Sequence, residues 1–96
     1  MADMLDTLEA IIQDRRRNPQ AGSYTSMLFD AGRHRLAQKV GEEAVEVIVA
    51  ALSQGPEEQI EELADLFYHV LVLMADLDLT LDDLRRRLGE RHQPQA

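Results

Sequence analysis

Apolar residues recur every three or four positions along most of the chain, with polar residues between them. This period predicts helix almost throughout. Leu5, Leu8, Ile11 and Ile12 form the first stripe. Asp3 precedes it as an N-cap, Arg15, Arg16 and Arg17 suit the negative end of the helix dipole, and Asn18-Pro19 stops it. A first helix is expected from about Asp3 to Arg17, its arginines either dipole-complementing or phosphate-contacting. In the loop that follows, Ser23 or Thr25 is placed to cap a short helix over Met27 to Ala31, closed by Gly32.

The two central segments depart from the usual amphipathic pattern. Between Arg33 or His34 and Ser53, Leu36, Val40, Ala44, Val47 and Ala51 share one arc of a helical wheel, and Val45, Ile48, Val49 and Leu52 fill much of the rest. The remaining polar sector, with Arg35, Lys39, Glu42, Glu43 and Glu46, spans only about 100°. From about Glu57 to Leu77 the pattern repeats: Glu58, Glu62, Asp65, His69 and Asp76 fall within roughly 60° of one another on an otherwise apolar rod. A surface helix would show a polar half, so both rods are expected to be mostly enclosed, packed antiparallel across a four-residue turn, with their charges aimed into a shared cleft. Gly41 costs about 1 kcal/mol in a helix interior, which a close helix crossing or an approaching ligand would offset. Thr80-Leu-Asp-Asp83 is a capping-box pattern that opens a last helix, Leu81 to about Arg91, with Leu81, Leu84 and Leu88 apolar. Residues 92–96 read as a frayed tail. With no strand signal and no repeat, the expected fold is all-α: one domain over residues 1–96, a bundle of four to five helices.

Composition narrows the function. The net charge of -8 argues against a nucleic-acid partner, which needs a basic face. The absence of cysteine removes disulfides, thiol nucleophiles and zinc–thiolate sites. No leader pattern is visible and no apolar run approaches the roughly 18 residues of a membrane span, so a cytoplasmic location is expected, with no membrane partner.

The acidic lines carry the chemistry. Glu43 with Glu46, and Glu62 with Asp65, stand three apart and so share a helix face. Two such pairs facing each other repel unless neutralised, and enclosed carboxylates without partners cost several kcal/mol each. A hard divalent cation is the natural partner, and an all-oxygen set points to Mg2+, Mn2+ or Ca2+. Glu-x-x-His pairs, which a di-iron bundle uses, are absent. Arg33, His34, Arg35 and Lys39 flank the acids, which favours Mg2+ acting with substrate phosphates. Lys39 and Arg35 are equally readable as intrahelical partners of neighbouring acids. His69 either orients a carboxylate or contacts the ligand as a base.

Glu42-Glu-x-x-Glu46, fifteen residues, then Glu62-x-x-Asp65 resembles the signature of the MazG-like all-α nucleotide pyrophosphatases. Gly22-Ser-Tyr-Thr25, Lys39-Val-Gly-Glu-Glu-Ala-Val-Glu46 and Glu62-Leu-Ala-Asp-Leu-Phe-Tyr-His69 are similar to the phosphoribosyl-ATP pyrophosphatase family within that group, from about Leu5 to Arg91 and in its stand-alone form. The resemblance implies hydrolysis of phosphoribosyl-ATP to phosphoribosyl-AMP and pyrophosphate, the second step of histidine biosynthesis. It implies Glu43, Glu46, Glu62 and Asp65 as ligands of Mg2+, with Mn2+ as a substitute. Glu42 becomes a second-sphere carboxylate or the base for water, beside Glu43 and Glu46 in the catalytic stretch. Lys39, with Arg33 or Arg35, meets phosphate oxygens, while Ser23, Tyr24, Thr25 and His69 are further candidates for substrate contact. It also implies a homodimer that completes the bundle, as the apolar girth of the central helices independently suggests. A housecleaning nucleoside triphosphate pyrophosphatase of the same fold and a non-catalytic helical dimerisation module are the alternatives.

Overall fold

Three helices of this protein start at side chains that satisfy free backbone N–H groups, and the two longest start at glycines without such a cap. The structure, a computed structural model that describes residues 2–93, contains α1 (Met4–Arg17), α2 (Tyr24–Ala31), α3 (Arg33–Ser53), α4 (Pro56–Asp76) and α5 (Leu81–His92). No strand occurs among the described residues. Asp3 and Asp6 form a capping box on α1, and Thr80 and Asp83 form one on α5. Ser23 caps α2 by accepting from the Ser26 N–H, so α2 begins at Tyr24, three residues ahead of the expected start. Gly32, at φ 97°, ends α2 and starts α3, a backbone angle that suits glycine. Helix α5 runs through His92, one residue past its expected end, and the rest of the expected tail, 94–96, lies outside the described residues.

The turn between α3 and α4 is only Gln54-Gly55, shorter than the four residues expected. Gln59 Nε2 bridges it, donating to Ala50 O at 3.2 Å and Gln54 O at 2.9 Å. The C-terminal end of α4 is held by two arginines from other helices. Arg16 donates to Ala75 O at 2.5 Å and to Asp78 Oδ1 at 2.6 Å, and Arg33 donates to Asp76 O at 3.0 Å. Helix α5 is tethered to α1: the Leu81 N–H donates to Glu9 Oε2 at 2.7 Å, and Arg85 pairs with Asp6 at 3.0 Å.

The core sits at this end of the molecule. Ile12, Leu28, Leu36, Leu71, Val72, Ala75 and Leu81 form one buried cluster from all five helices. At the opposite end the apolar rods lie open in the single chain, so the enclosure expected of them is not supplied by this chain alone. On α3 only Leu36 and Ala50 are buried, while Ile48 is 57% and Leu52 83% exposed. On α4, Ile60 and Phe67 are similarly open and join Leu5, Leu8 and Leu63 along an apolar groove of about 350 Å³. Gly41 marks no close crossing within the chain, since a Cβ there would meet nothing within 4 Å. Of the expected α5 stripe only Leu81 is buried; Leu84 and Leu88 are exposed. The radius of gyration, 15.0 Å, exceeds the about 12 Å of a compact chain this long. No helix is long and apolar enough to cross a membrane.

Candidate active site

The α3–α4 hairpin has its register fixed at both ends. Ala50 meets Gln59 near the turn, and Arg33 meets Asp76 at the far end, Nε to Oδ2 at 2.7 Å. Between these points Glu43 comes level with Asp65, and Glu46 with Glu62. The helical period then decides which side chains face across. Glu43, Glu62 and Asp65 do: each offers a carboxylate oxygen, and the three oxygens lie within 4.8 Å of one another. Glu43 and Glu62 are half-buried and Asp65 is exposed. Oxygens sharing one Mg2+ lie about 3–4 Å apart, given a Mg–O distance of about 2.1 Å. A small rotamer adjustment therefore makes this donor set fit a hard divalent cation.

Glu46 stands outside that triangle in the present rotamers. It nevertheless belongs to the same field. Partial desolvation, then the charges of Glu46, Asp65, Glu43 and Glu61, push the Glu62 carboxyl above the usual glutamate value. A crowded carboxylate of this kind gains most from a cation.

Basic residues border the acids on α3. Lys39 Nζ lies 3.3 Å from Glu43 Oε1 and 3.9 Å from Glu42 Oε1. The Glu43 contact, ahead of the surrounding charges, holds the Lys39 ammonium above the usual lysine range. Arg35 lies 3.6 Å from Glu42 Oε1, and Gln38 donates to Glu42 Oε2 at 3.1 Å. Glu42 is thus engaged on its own helix and does not join the triangle. Nor does Arg33, which is fixed to Asp76 about 15 Å along α3 from Glu43.

Helix α2 closes the other flank. The Tyr24 hydroxyl lies 2.9 Å from His69 Nε2, and His69 Nδ1 lies 2.7 Å from the Asp65 carbonyl oxygen. His69 is buried and reaches the backbone of Asp65, not its carboxylate. Thr25 Oγ1 bonds to the Tyr68 hydroxyl, and the Tyr24 and Tyr68 rings stack with centroids 6.1 Å apart. Ser23 is occupied as the α2 cap. Tyr68, absent from the residues expected at the site, proves to be one of its links to α2. A tyrosine inside an apolar helix needs a partner for its hydroxyl, and that was the available signal. A cleft of about 460 Å³ beside Arg16, Arg17 and Asp78 lies at the far end of α4 from the carboxylates, so size alone does not locate the site.

The chain matches, over residues 5–92, the family model described as phosphoribosyl-ATP pyrophosphohydrolase. It is 44% identical over 91 residues to the phosphoribosyl-ATP pyrophosphatase of Clostridium botulinum, covering 95% of this chain and 83% of that one. It is 50% identical over 91 residues to the phosphoribosyl-ATP pyrophosphatase of Metallosphaera sedula, covering 95% and 98%. It is also 47% identical over 87 residues to the histidine biosynthesis bifunctional protein HisIE of Thermus thermophilus, covering 91% of this chain and 41% of that one.

Proposed function

The chain belongs to the phosphoribosyl-ATP pyrophosphohydrolase family, and from that membership we propose how its acidic hairpin hydrolyses phosphoribosyl-ATP to phosphoribosyl-AMP and pyrophosphate. The reaction breaks one phosphoric anhydride bond with water and serves histidine biosynthesis. The observation that supports this site is the convergence of Glu43, Glu62 and Asp65 within 4.8 Å.

A bound divalent cation, Mg2+ or Mn2+, supplies charge neutralisation on the phosphate oxygens and a lowered pKa for attacking water. Glu43, Glu62 and Asp65 would hold it, with Glu46 as the fourth carboxylate beside them. Lys39 carries the positive charge nearest these acids and meets phosphate oxygens of the substrate. Arg35, on the same helix face, assists it, whereas Arg33 serves the fold by anchoring α4. Glu42 acts one layer back, keeping Arg35 and Lys39 in the path of the phosphates. Tyr24, Thr25 and His69 orient α2 against the acidic turn of α4, with Ser23 shaping the start of α2. A second copy of the chain covers the open face of Ile48, Leu52, Ile60 and Phe67, giving a homodimer.

The test is pyrophosphate release from phosphoribosyl-ATP beside ATP, dUTP and dCTP, with Mg2+ present. Marked preference for phosphoribosyl-ATP supports this reading. Turnover confined to the ordinary triphosphates contradicts it.

A further inference from the structure

Lys39 is bound to one of the three carboxylates of the triangle. Its ammonium lies 3.3 Å from Glu43 Oε1, with both side chains mostly shielded from solvent, at 20% and 14% exposure. A lysine four residues before a glutamate is the less favourable order for an intrahelical pair. The lysine is nevertheless held there, with Glu43 at 3.3 Å and Glu42 at 3.9 Å from its ammonium. An ammonium and a divalent cation on the same carboxylate repel each other, so each weakens the other's hold on Glu43.

We infer that Lys39 is an internal counter-ion that competes with the divalent cation for Glu43 and is released toward phosphate when the cation binds. Metal and pyrophosphate then reinforce each other through Lys39, in addition to their direct contact. Linkage makes this reinforcement reciprocal. Arg35 has no such role, because its contact is with Glu42, which stands outside the triangle. The inference rests on the metal reading above and adds to it a cost of metal entry that the chain itself imposes.

The experiment is calorimetric titration of the metal-free protein with Mn2+, for wild type, Lys39→Met, Lys39→Arg and Arg35→Met, followed by inorganic pyrophosphate with and without Mn2+. Lys39→Met is expected to bind Mn2+ about threefold to tenfold more tightly than wild type, the scale of a partly shielded ion pair. Lys39→Arg and Arg35→Met are expected to stay close to wild type. Mn2+ is expected to strengthen pyrophosphate binding by a smaller factor in Lys39→Met than in wild type. Equal or weaker Mn2+ binding in Lys39→Met, with wild type binding normally, overturns the inference and leaves the metal site standing. Equal tightening in Arg35→Met overturns it too, because net charge then explains the effect. No Mn2+ binding by any variant overturns the metal reading, and this inference with it.

Discussion

The Tyr24 hydroxyl donates to His69 Nε2 across 2.9 Å, fastening α2 to α4 at the edge of the acidic triangle. The direction of this bond follows from the other ring nitrogen. His69 Nδ1 lies 2.7 Å from the Asp65 carbonyl oxygen, which can only accept, so Nδ1 carries the proton. In the neutral ring Nε2 is then the acceptor, and Tyr24 must donate. The turn of α4 that bears Asp65 is thereby tied, through one buried imidazole, to a helix on the far side of the site.

Tyr24→Phe removes that tie without removing the ring. It is expected to cost about 1 kcal/mol, or roughly 4–8 °C in Tm. It is also expected to weaken Mn2+ affinity by less than the about 10- to 100-fold seen for a group bonded directly to a ligand, because the tie reaches Asp65 through its backbone carbonyl. Thermal melts and Mn2+ titration check both; an unchanged affinity would show that Asp65 holds its position without α2.

Glu62 works against folding at neutral pH. Its folded-state pKa lies above the ordinary value of 4.5, so the folded chain holds that proton more tightly than the unfolded chain. The resulting stabilisation is full below pH 4.5 and is lost as pH rises through the folded value. In the presence of EDTA at pH 7, Glu62→Gln is therefore expected to melt higher than wild type while losing turnover. Its advantage should vanish below pH 4.5, where Glu62 itself is protonated. A variant that melts lower at pH 7 would contradict the crowding of carboxylates.

Gly41 sits in the middle of α3 with open space where a Cβ would be. Gly41→Ala is expected to raise stability by about 0.5–1 kcal/mol, the ordinary helix-interior difference. If a ligand approaches this backbone, KM rises in the same variant. Chemical denaturation and steady-state kinetics separate the two effects.

The open apolar face is tested by charge. Leu52→Glu and Ile48→Glu alter side chains that are already exposed in one chain, at 83% and 57%, so little loss is expected for an isolated monomer. If a second copy covers them, sedimentation should shift each variant from dimer toward monomer at concentrations where wild type stays paired. Unaltered sedimentation would place the dimer contact elsewhere.

Local signals were the legible part of this fold. Asp3, Thr80 and Gly32 mark helix ends because a cap is a matter of three or four neighbouring residues. The facing of Glu43 toward Glu62 and Asp65 was legible because one helical period and one short turn determine it. Arg33–Asp76 and Tyr24–His69 were not, since they join residues 43 and 45 positions apart and depend on how helices cross. Glu46 shares a face with Glu43, lies level with Glu62 and acts on it by charge, so its place outside the triangle is a matter of its rotamer, which a helical wheel does not record. The apolar rods were read as enclosed because a helical wheel records that a face needs cover, not which chain supplies it.

The most direct measurement is pyrophosphate release from phosphoribosyl-ATP by wild type and Asp65→Asn, each with Mg2+ and then with excess EDTA. Mg2+ at ten times its Kd should also raise the wild-type melting point through about 1.4 kcal/mol of linkage, roughly 6–11 °C. The expected result is turnover by wild type that EDTA abolishes, with Asp65→Asn folded, inactive and no longer stabilised by Mg2+. Full turnover by Asp65→Asn, or turnover by wild type that persists in EDTA, would contradict the acidic hairpin as the seat of the reaction.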